Sequence, residues 1–503
     1  MLIKAITILM VLMLVAGLQP SIAPVAAVSD GTTYITEYDI PTPNSGPIGI
    51  TADPSGLIWF AETNVSRIAR FSPGNLTFKE YALPLTDTLR KKGANIWGMA
   101  FDAKGCLWFT EATEAAIWRF DPSAETFEKF PLQPDVFPIQ IAVDSSGVVW
   151  FTELHGNQIG RLDSSKVVNN TREGITEYLI PTPDAGVISL SFDRNGRIWF
   201  TEPFSRKVGM FDPQTIRFKE YIMPASVFTL VGLALDTAGC LWITDHGSSE
   251  FYRFDPDTDV FTEYSTSQPP PPLNVSLPYY LAPDSNGKIW MNEHYGNAIA
   301  VIDPESEVLT EYSIPTHNPR FGGIADALQL TVDKNDNIWF TEWTANKIAV
   351  LDSRKQIPFN IELSERNISI ERGGEKEISV MLLLKETLDS PVTLSASGTT
   401  TGTGVINGLS VSFEPTELSA SQHNSTMTLK VKSSLPPDIY TLMVNSRYNG
   451  INRLAAVHLI VSSPNTGTSF IETWGEVLFL GLTPLMAVAV IILYRRINRR
   501  SSD

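Results

Sequence analysis

Seven near-copies of one phrase run through this chain: an Asp, a short turn that usually holds Gly, then an aliphatic–Trp pair ending on an acid. They begin at Asp53, Asp102, Asp144, Asp193, Asp236, Asp284 and Asp333 and end at Glu62, Glu111, Glu153, Glu202, Asp245, Glu293 and Glu342. Their tryptophans (Trp59, Trp108, Trp150, Trp199, Trp242, Trp290, Trp339) stand 49, 42, 49, 43, 48 and 49 residues apart. A period in the forties, with strand-like segments and turn punctuation, predicts a β-propeller with one blade per repeat. In the first copy Gly49–Ala52 and Leu57–Glu62 flank a tight turn at Asp53-Pro54-Ser55-Gly56, and Arg67–Phe71 and Thr77–Leu83 complete four antiparallel strands. What all seven copies share is what a blade requires. Function is therefore sought where they differ.

The outermost strands carry a second signature, Glu80-Tyr81, Glu177-Tyr178, Glu220-Tyr221, Glu263-Tyr264 and Glu311-Tyr312. A further Glu37-Tyr38 precedes the first blade, while the last blade stops after its third strand at Leu351-Asp352. Residues 33–40 are therefore expected to supply the missing outer strand and close the ring over 32–353, which leaves no exposed edge there.

The flanks set further expectations. Lys4, an apolar run from Ala5 to Val15 and small residues up to Ser29 read as a signal peptide at 1–29. Residues 358–461 lose aromatics and show seven short alternating strands, which predicts an immunoglobulin-like β-sandwich, followed by a polar stalk at 462–469. The apolar stretch within 470–494, followed by Arg495, Arg496, Arg499 and Arg500, reads as a single-pass membrane anchor with a cytoplasmic tail at 495–503. The expected fold class is thus all-β, a seven-bladed propeller plus sandwich, with a C-terminal transmembrane helix. The expected location is the cell membrane, both β domains outside, and sequons at Asn64, Asn75, Asn169, Asn274, Asn367 and Asn424 agree with it. The net charge of −17 argues against nucleic acid. Cys106 and Cys240 occupy the same repeat position in blades that are not neighbours, too far apart for a disulfide.

The phrases Glu37-Tyr38…Pro41-Thr42-Pro43…Gly46-Pro47-Ile48-Gly49-Ile50, and Trp339-Phe340-Thr341-Glu342 before Asn346-Lys347-Ile348, closely resemble the virginiamycin B lyase (streptogramin lyase) family over all seven blades. That resemblance implies opening of a macrocyclic lactone by elimination, with Mg2+ and two histidines. The positions matching those histidines are Tyr279 and Leu328, neither an imidazole. Asp326 matches one metal-binding acid, Glu342 is the nearest match to the other, and Ile48 stands where the family has a tyrosine. The resemblance therefore leaves a metal seat for Mg2+ or another divalent cation, or no cofactor, and it removes the family's base.

Chain direction puts the acids that end the second strands on the loop-rich top face near the axis. Such a ring either ligates a hard cation, with Glu293 and Glu342 as candidates beside the Asp326 that the resemblance implies, or bonds backbone amides. Departures from the repeat offer other chemistry. His246 and His294 each follow a ring acid and are candidates for base or ligand; His155 and His317 lie on the same face. The alternative is that surface loops often carry histidine. Trp97, Phe137, Phe204, Phe228, Tyr279, Tyr280, Tyr295, Phe321 and Trp343 crowd that face as well, either as a ligand-binding lining or as core. Two functions stay open: a recognition module for a small molecule, glycan, peptide or extracellular protein, and a metal-assisted carbon–oxygen lyase with a rearranged base.

Overall fold

A computed structural model describes residues 34–84, 86–269, 273–318, 322–398 and 406–463. Each phrase folds into the second strand of a four-stranded antiparallel blade, and the reason is local. The carboxylate of Asp53 accepts from the amides of Ser55 (2.8 Å) and Leu57 (3.0 Å) through one oxygen, and from the Trp59 indole N–H through the other (3.0 Å). The same Asp–Trp bond recurs in every blade at 2.8–3.3 Å. One short side chain thus pins the turn and the large aromatic that packs beside it.

Blade one comprises Pro47–Ala52, Ile58–Glu62, Arg67–Ser72 and Thr77–Ala82 from axis to rim. Six further blades follow, and the innermost strands touch in sequence around the ring until Ala327–Val332 of blade seven meets Pro47–Ala52 of blade one. The closing strand is Ile35–Asp39, antiparallel to Lys347–Leu351 with Tyr38 opposite Ile348. Closure by the N-terminal strand is therefore as the displaced Glu-Tyr implied.

Three of the Glu-Tyr glutamates share one arrangement. Glu80 accepts from the Thr42 hydroxyl (2.8 Å) and Arg67 (2.6 Å), Glu220 from Thr182 (2.7 Å) and Lys207 (2.7 Å), and Glu37 from Thr316 (2.7 Å) and Lys347 (2.6 Å). In these three blades the threonine comes from the loop entering the blade. The Glu staples that loop to the outer strand.

Residues 359–462 form two sheets that share one apolar core. One sheet runs Phe359–Leu363, Glu375–Leu384, Asn424–Val431, Leu409–Glu414. The other contains Ile451–Ser462, Asp438–Tyr448, Val392–Gly398 and the two-residue Glu417–Leu418, with Asn367–Glu371 parallel to the first of these. Its strand Ile451–Ser462 also pairs with the outer strand of blade six, Val308–Ser313, so that Val308 faces Ala455 and Tyr312 faces Ile451. Blade and sandwich are one continuous sheet. Glu307 locks the junction, bonded to His458 Nε2 (2.7 Å) and to the Tyr264 hydroxyl (2.7 Å).

One part of the expected fold class is corrected. Among the described residues no helix is long and apolar enough to cross a membrane. The α-helix α1, Asp87–Lys92, has six residues and rises about 9 Å against roughly 30 Å of hydrocarbon. The segments read as signal (1–29), anchor (470–494) and tail (495–503), and most of the stalk (462–469), lie outside the described residues.

Candidate functional site

The site is built by a bulge repeated at the start of the innermost strands. In blades one, three, five, six and seven the register slips by one residue there, between Pro47 and Ile50, Pro138 and Ile141, Leu230 and Leu233, Pro278 and Leu281, and Ala327 and Leu330. A bulge leaves two consecutive residues outside the ladder and aims them apart. The first residues of these pairs, with their counterparts in blades two and four, are Ile48, Trp97, Ile139, Ile188, Val231, Tyr279 and Leu328. Six of the seven, all but Val231, meet at the axis with Leu154, Phe137, Phe204 and Trp343 in one apolar cluster. This apolar cluster, on the face that carries the loops entering the innermost strands, is called the bowl below.

In blades two to five and seven the threonine before the ring acid holds the bulge open. Thr110, Thr152, Thr201 and Thr244 each accept from the second bulge amide of their own blade (2.8–3.1 Å) and donate to the first bulge carbonyl of the next (2.6–3.0 Å). In blade six Asn292 replaces threonine, accepting from the Tyr280 amide at 2.9 Å and donating to the Ala327 carbonyl.

Blades five to seven add polar groups to the bowl. The His246 and His294 rings lie 4.7 Å apart, and Tyr279 packs on both at 4.9 and 4.6 Å. Asp326 sits just before the blade-seven bulge at φ 56°, a left-handed conformation uncommon for a residue with a Cβ. Its Oδ1 lies 3.8 Å from His294 Nδ1, too long for a hydrogen bond. Burial pushes His246 down to about 4 and, with His246 beside it, His294 well below the usual imidazole range; burial lifts Asp326 to about 7. Both imidazoles are therefore neutral at pH 7, and the contact with Asp326 is not an ion pair.

The ring acids are elsewhere. Each is 0–1 % exposed. Glu111 accepts from the amides of Asn95, Thr113 and Glu114, and Asp245 from those of Phe228, Thr229 and Gly247, so both are loop anchors. Glu62, Glu153 and Glu342 instead turn toward the outer-strand acids Glu80, Glu177 and Glu37, and Glu293 faces Glu311. Side chains two apart on a strand share a face, so an acid ending the second strand meets the blade's own outer strand rather than the axis. The trio Glu293, Asp326 and Glu342 thus does not converge, and among the described residues no group of three or more His, Cys, Asp or Glu is placed to hold a metal ion.

Of the remaining candidates, Trp97, Tyr279 and Trp343 line the bowl, while Tyr295 is 38 % exposed at its rim. His155 is exposed and packs on Phe137 at 5.2 Å; exposed His317 bonds the Gly323 carbonyl at 3.0 Å. Tyr280 lies apart from these. As the second bulge residue of blade six it points below the bowl, where its hydroxyl accepts from Gln140 Nε2 (2.8 Å) across the axis beside a cavity of about 170 Å3. Phe321 lies outside the described residues. The reading from sequence missed Ile139, Ile188 and Leu154, whose aliphatic side chains carry no chemical signal; the bulge register could have found the first two.

The Virginiamycin B lyase family model matches residues 27–170 and 91–367. The chain belongs to the virginiamycin B lyase family. A virginiamycin B lyase from Saccharopolyspora erythraea is 46 % identical over 43 residues, a match that spans 8 % of this chain and 14 % of that protein. A solved streptogramin B lyase is 26 % identical over 63 % of this chain and 97 % of its own, with a TM-score of 0.55. A catalytically inactive histidine-to-alanine virginiamycin B lyase from Staphylococcus aureus, solved with quinupristin, is 23 % identical over 63 % of this chain and 98 % of its own, with a TM-score of 0.54. In this member of the virginiamycin B lyase family, Tyr279 and Leu328 hold the first bulge positions of blades six and seven. Asp326 and Ile48 stay at the bowl.

Proposed function

We propose that this propeller is a recognition module that takes a mostly apolar, ring-bearing ligand into the bowl on its top face. One observation carries the reading. The bulges bring apolar or aromatic side chains to the axis, and Leu328 and Tyr279 stand among them where the family's lyases carry histidine. Elimination beside an ester needs a positioned base, typically worth roughly 10²- to 10⁴-fold, and leucine cannot serve. The apolar leader pattern and the sequons support placing the propeller outside the cytoplasm, with the immunoglobulin-like sandwich as its rigid support.

A second reading, a lyase whose base has moved to His294 or His246, is favoured by the position of those imidazoles against Tyr279. Titration of the purified protein with quinupristin, followed by tryptophan fluorescence, tests the first reading. Saturable quenching that Trp343→Ala weakens at least fivefold supports it. Absence of saturable binding, or binding indifferent to Trp343→Ala, contradicts it.

A further inference from the structure

The two residues of each bulge divide by chemistry. The first are apolar or aromatic in every blade, whereas the second are glycine in blades one, two and five and Gln140, Ser189, Tyr280 and Gln329 in the others. Glycine is required where it stands: a Cβ at Gly49, Gly98 or Gly232 would come 2.7, 2.6 or 2.0 Å from the first bulge carbonyl oxygen of the next blade. No blade places an aliphatic side chain at a second position. A polar belt therefore lies beneath the apolar bowl, and a cavity of about 170 Å3 adjoins it. Gln140, Ser189, Ser191 and Tyr280, from blades three, four and six, give this cavity its polar wall; Leu233 and Leu281, from blades five and six, give it an apolar one. Exposed Pro283, beside the Asp284 turn, also lines it, so the cavity is reached from the face opposite the bowl.

We propose that this cavity is a second binding site, distinct from the bowl, for a short-chain polyol: a vicinal diol or triol with one hydroxyl edge and one hydrocarbon edge. The polar wall has bonds to give. Tyr280 accepts from Gln140 Nε2 at 2.8 Å and keeps its own O–H to donate, while Gln140 Oε1 is an acceptor. The Ser189 and Ser191 hydroxyls add two groups that each donate and accept. Size sets the chain length. The cavity holds the equivalent of about five or six waters at roughly 30 Å3 each, enough for a three-carbon polyol and too little for a hexose. Waters alone fit poorly, because each needs two to four polar partners and Leu233 and Leu281 offer none. A carbon chain laid against those leucines needs none. An ion fits worse, since no side chain in either wall carries a charge to offset its lost hydration.

The test titrates the purified full chain with glycerol and follows saturation transfer to the glycerol protons by NMR. Glycerol is expected to saturate with a dissociation constant on the order of 1 mM, as so small a ligand allows. 1-Propanol, the same carbon chain with a single hydroxyl, should bind at least about fivefold more weakly, and glucose should not saturate. That comparison needs no variant. Ser189→Ala combined with Ser191→Ala, and separately Tyr280→Phe, remove hydroxyls while keeping the walls, and each should weaken glycerol about three- to tenfold. Equal affinity for glycerol and 1-propanol, glucose bound as tightly as glycerol, or no saturation up to about fifty times the expected constant overturns the inference. Variants that melt like the wild type and bind glycerol unchanged also overturn it, because the polyol then sits elsewhere. So does binding that only Trp343→Ala weakens, which would place the polyol in the bowl.

Discussion

Asp236 accepts from the amides of Ala238 and Cys240 (2.9 Å each) and from the Trp242 indole (3.0 Å), and its carboxylate is nearly closed to solvent. Asp236→Ala would strand the buried Trp242 N–H and loosen the turn. The expected loss is about 1–3 kcal/mol, read as a lower urea midpoint at unchanged slope; an unaltered midpoint would contradict the pinning role. This Asp–Trp pairing was legible as a repeat, although its meaning was not. The sequence marks which positions recur, whereas the bond between them appears only once the turn folds back. Tyr280 shows the opposite limit. It adjoins Tyr279 and is chemically identical, yet a bulge that no composition reveals sends the two to opposite sides.

Among elements, the carboxyl pairs between second and outer strands have a consequence for pH. Burial, chiefly, with a nearby acid, lifts Glu62 and Glu202 to about 7 and Glu153 to about 8. Glu62 faces Glu80 and Arg67, Glu153 faces Glu177 and Arg172, and Glu202 faces Glu220, Lys207 and Ser205. Above about pH 4.5 the unfolded chain releases protons that the folded chain still holds, so stability falls as pH rises until about pH 8. The melting temperature should be higher at pH 5 than at pH 8.5, and Glu153→Gln should raise it at pH 8.5 by sparing a buried charge. A melting temperature that climbs from pH 5 to pH 8.5 would show that these acids are ionised and compensated. The closing strand makes a second prediction: removing residues 34–40 bares the edge of Lys347–Leu351 and should destabilise the ring severely. A truncated protein that melts within a degree or two of the intact one would refute that closure. The closing strand was legible because its Glu-Tyr was displaced. What each ring acid bonds was not legible, because recurrence gives a position along a strand, and the face follows only from the register with the outer strand.

Across the whole molecule, the seven blades could be read from spacing, but the union of blade six with the sandwich could not. The pairing of Val308–Ser313 with Ile451–Ser462 joins segments with no mutual signature, and Glu307–His458 sits between them. Because the shared core runs from Trp290 and Tyr312 to Phe359 and Tyr448, propeller and sandwich should melt in a single calorimetric transition. Two resolved transitions would mean that the junction is weak. On the proposed reading, the bowl binds its ligand without performing chemistry. The most direct test incubates stoichiometric protein with quinupristin and follows the lactone by chromatography over hours. The account predicts that the ligand is recovered intact, with binding weakened by Trp343→Ala. Lactone opened at rates typical of enzymes, and lost in His294→Ala or His246→Ala, would contradict it and make those imidazoles the relocated base.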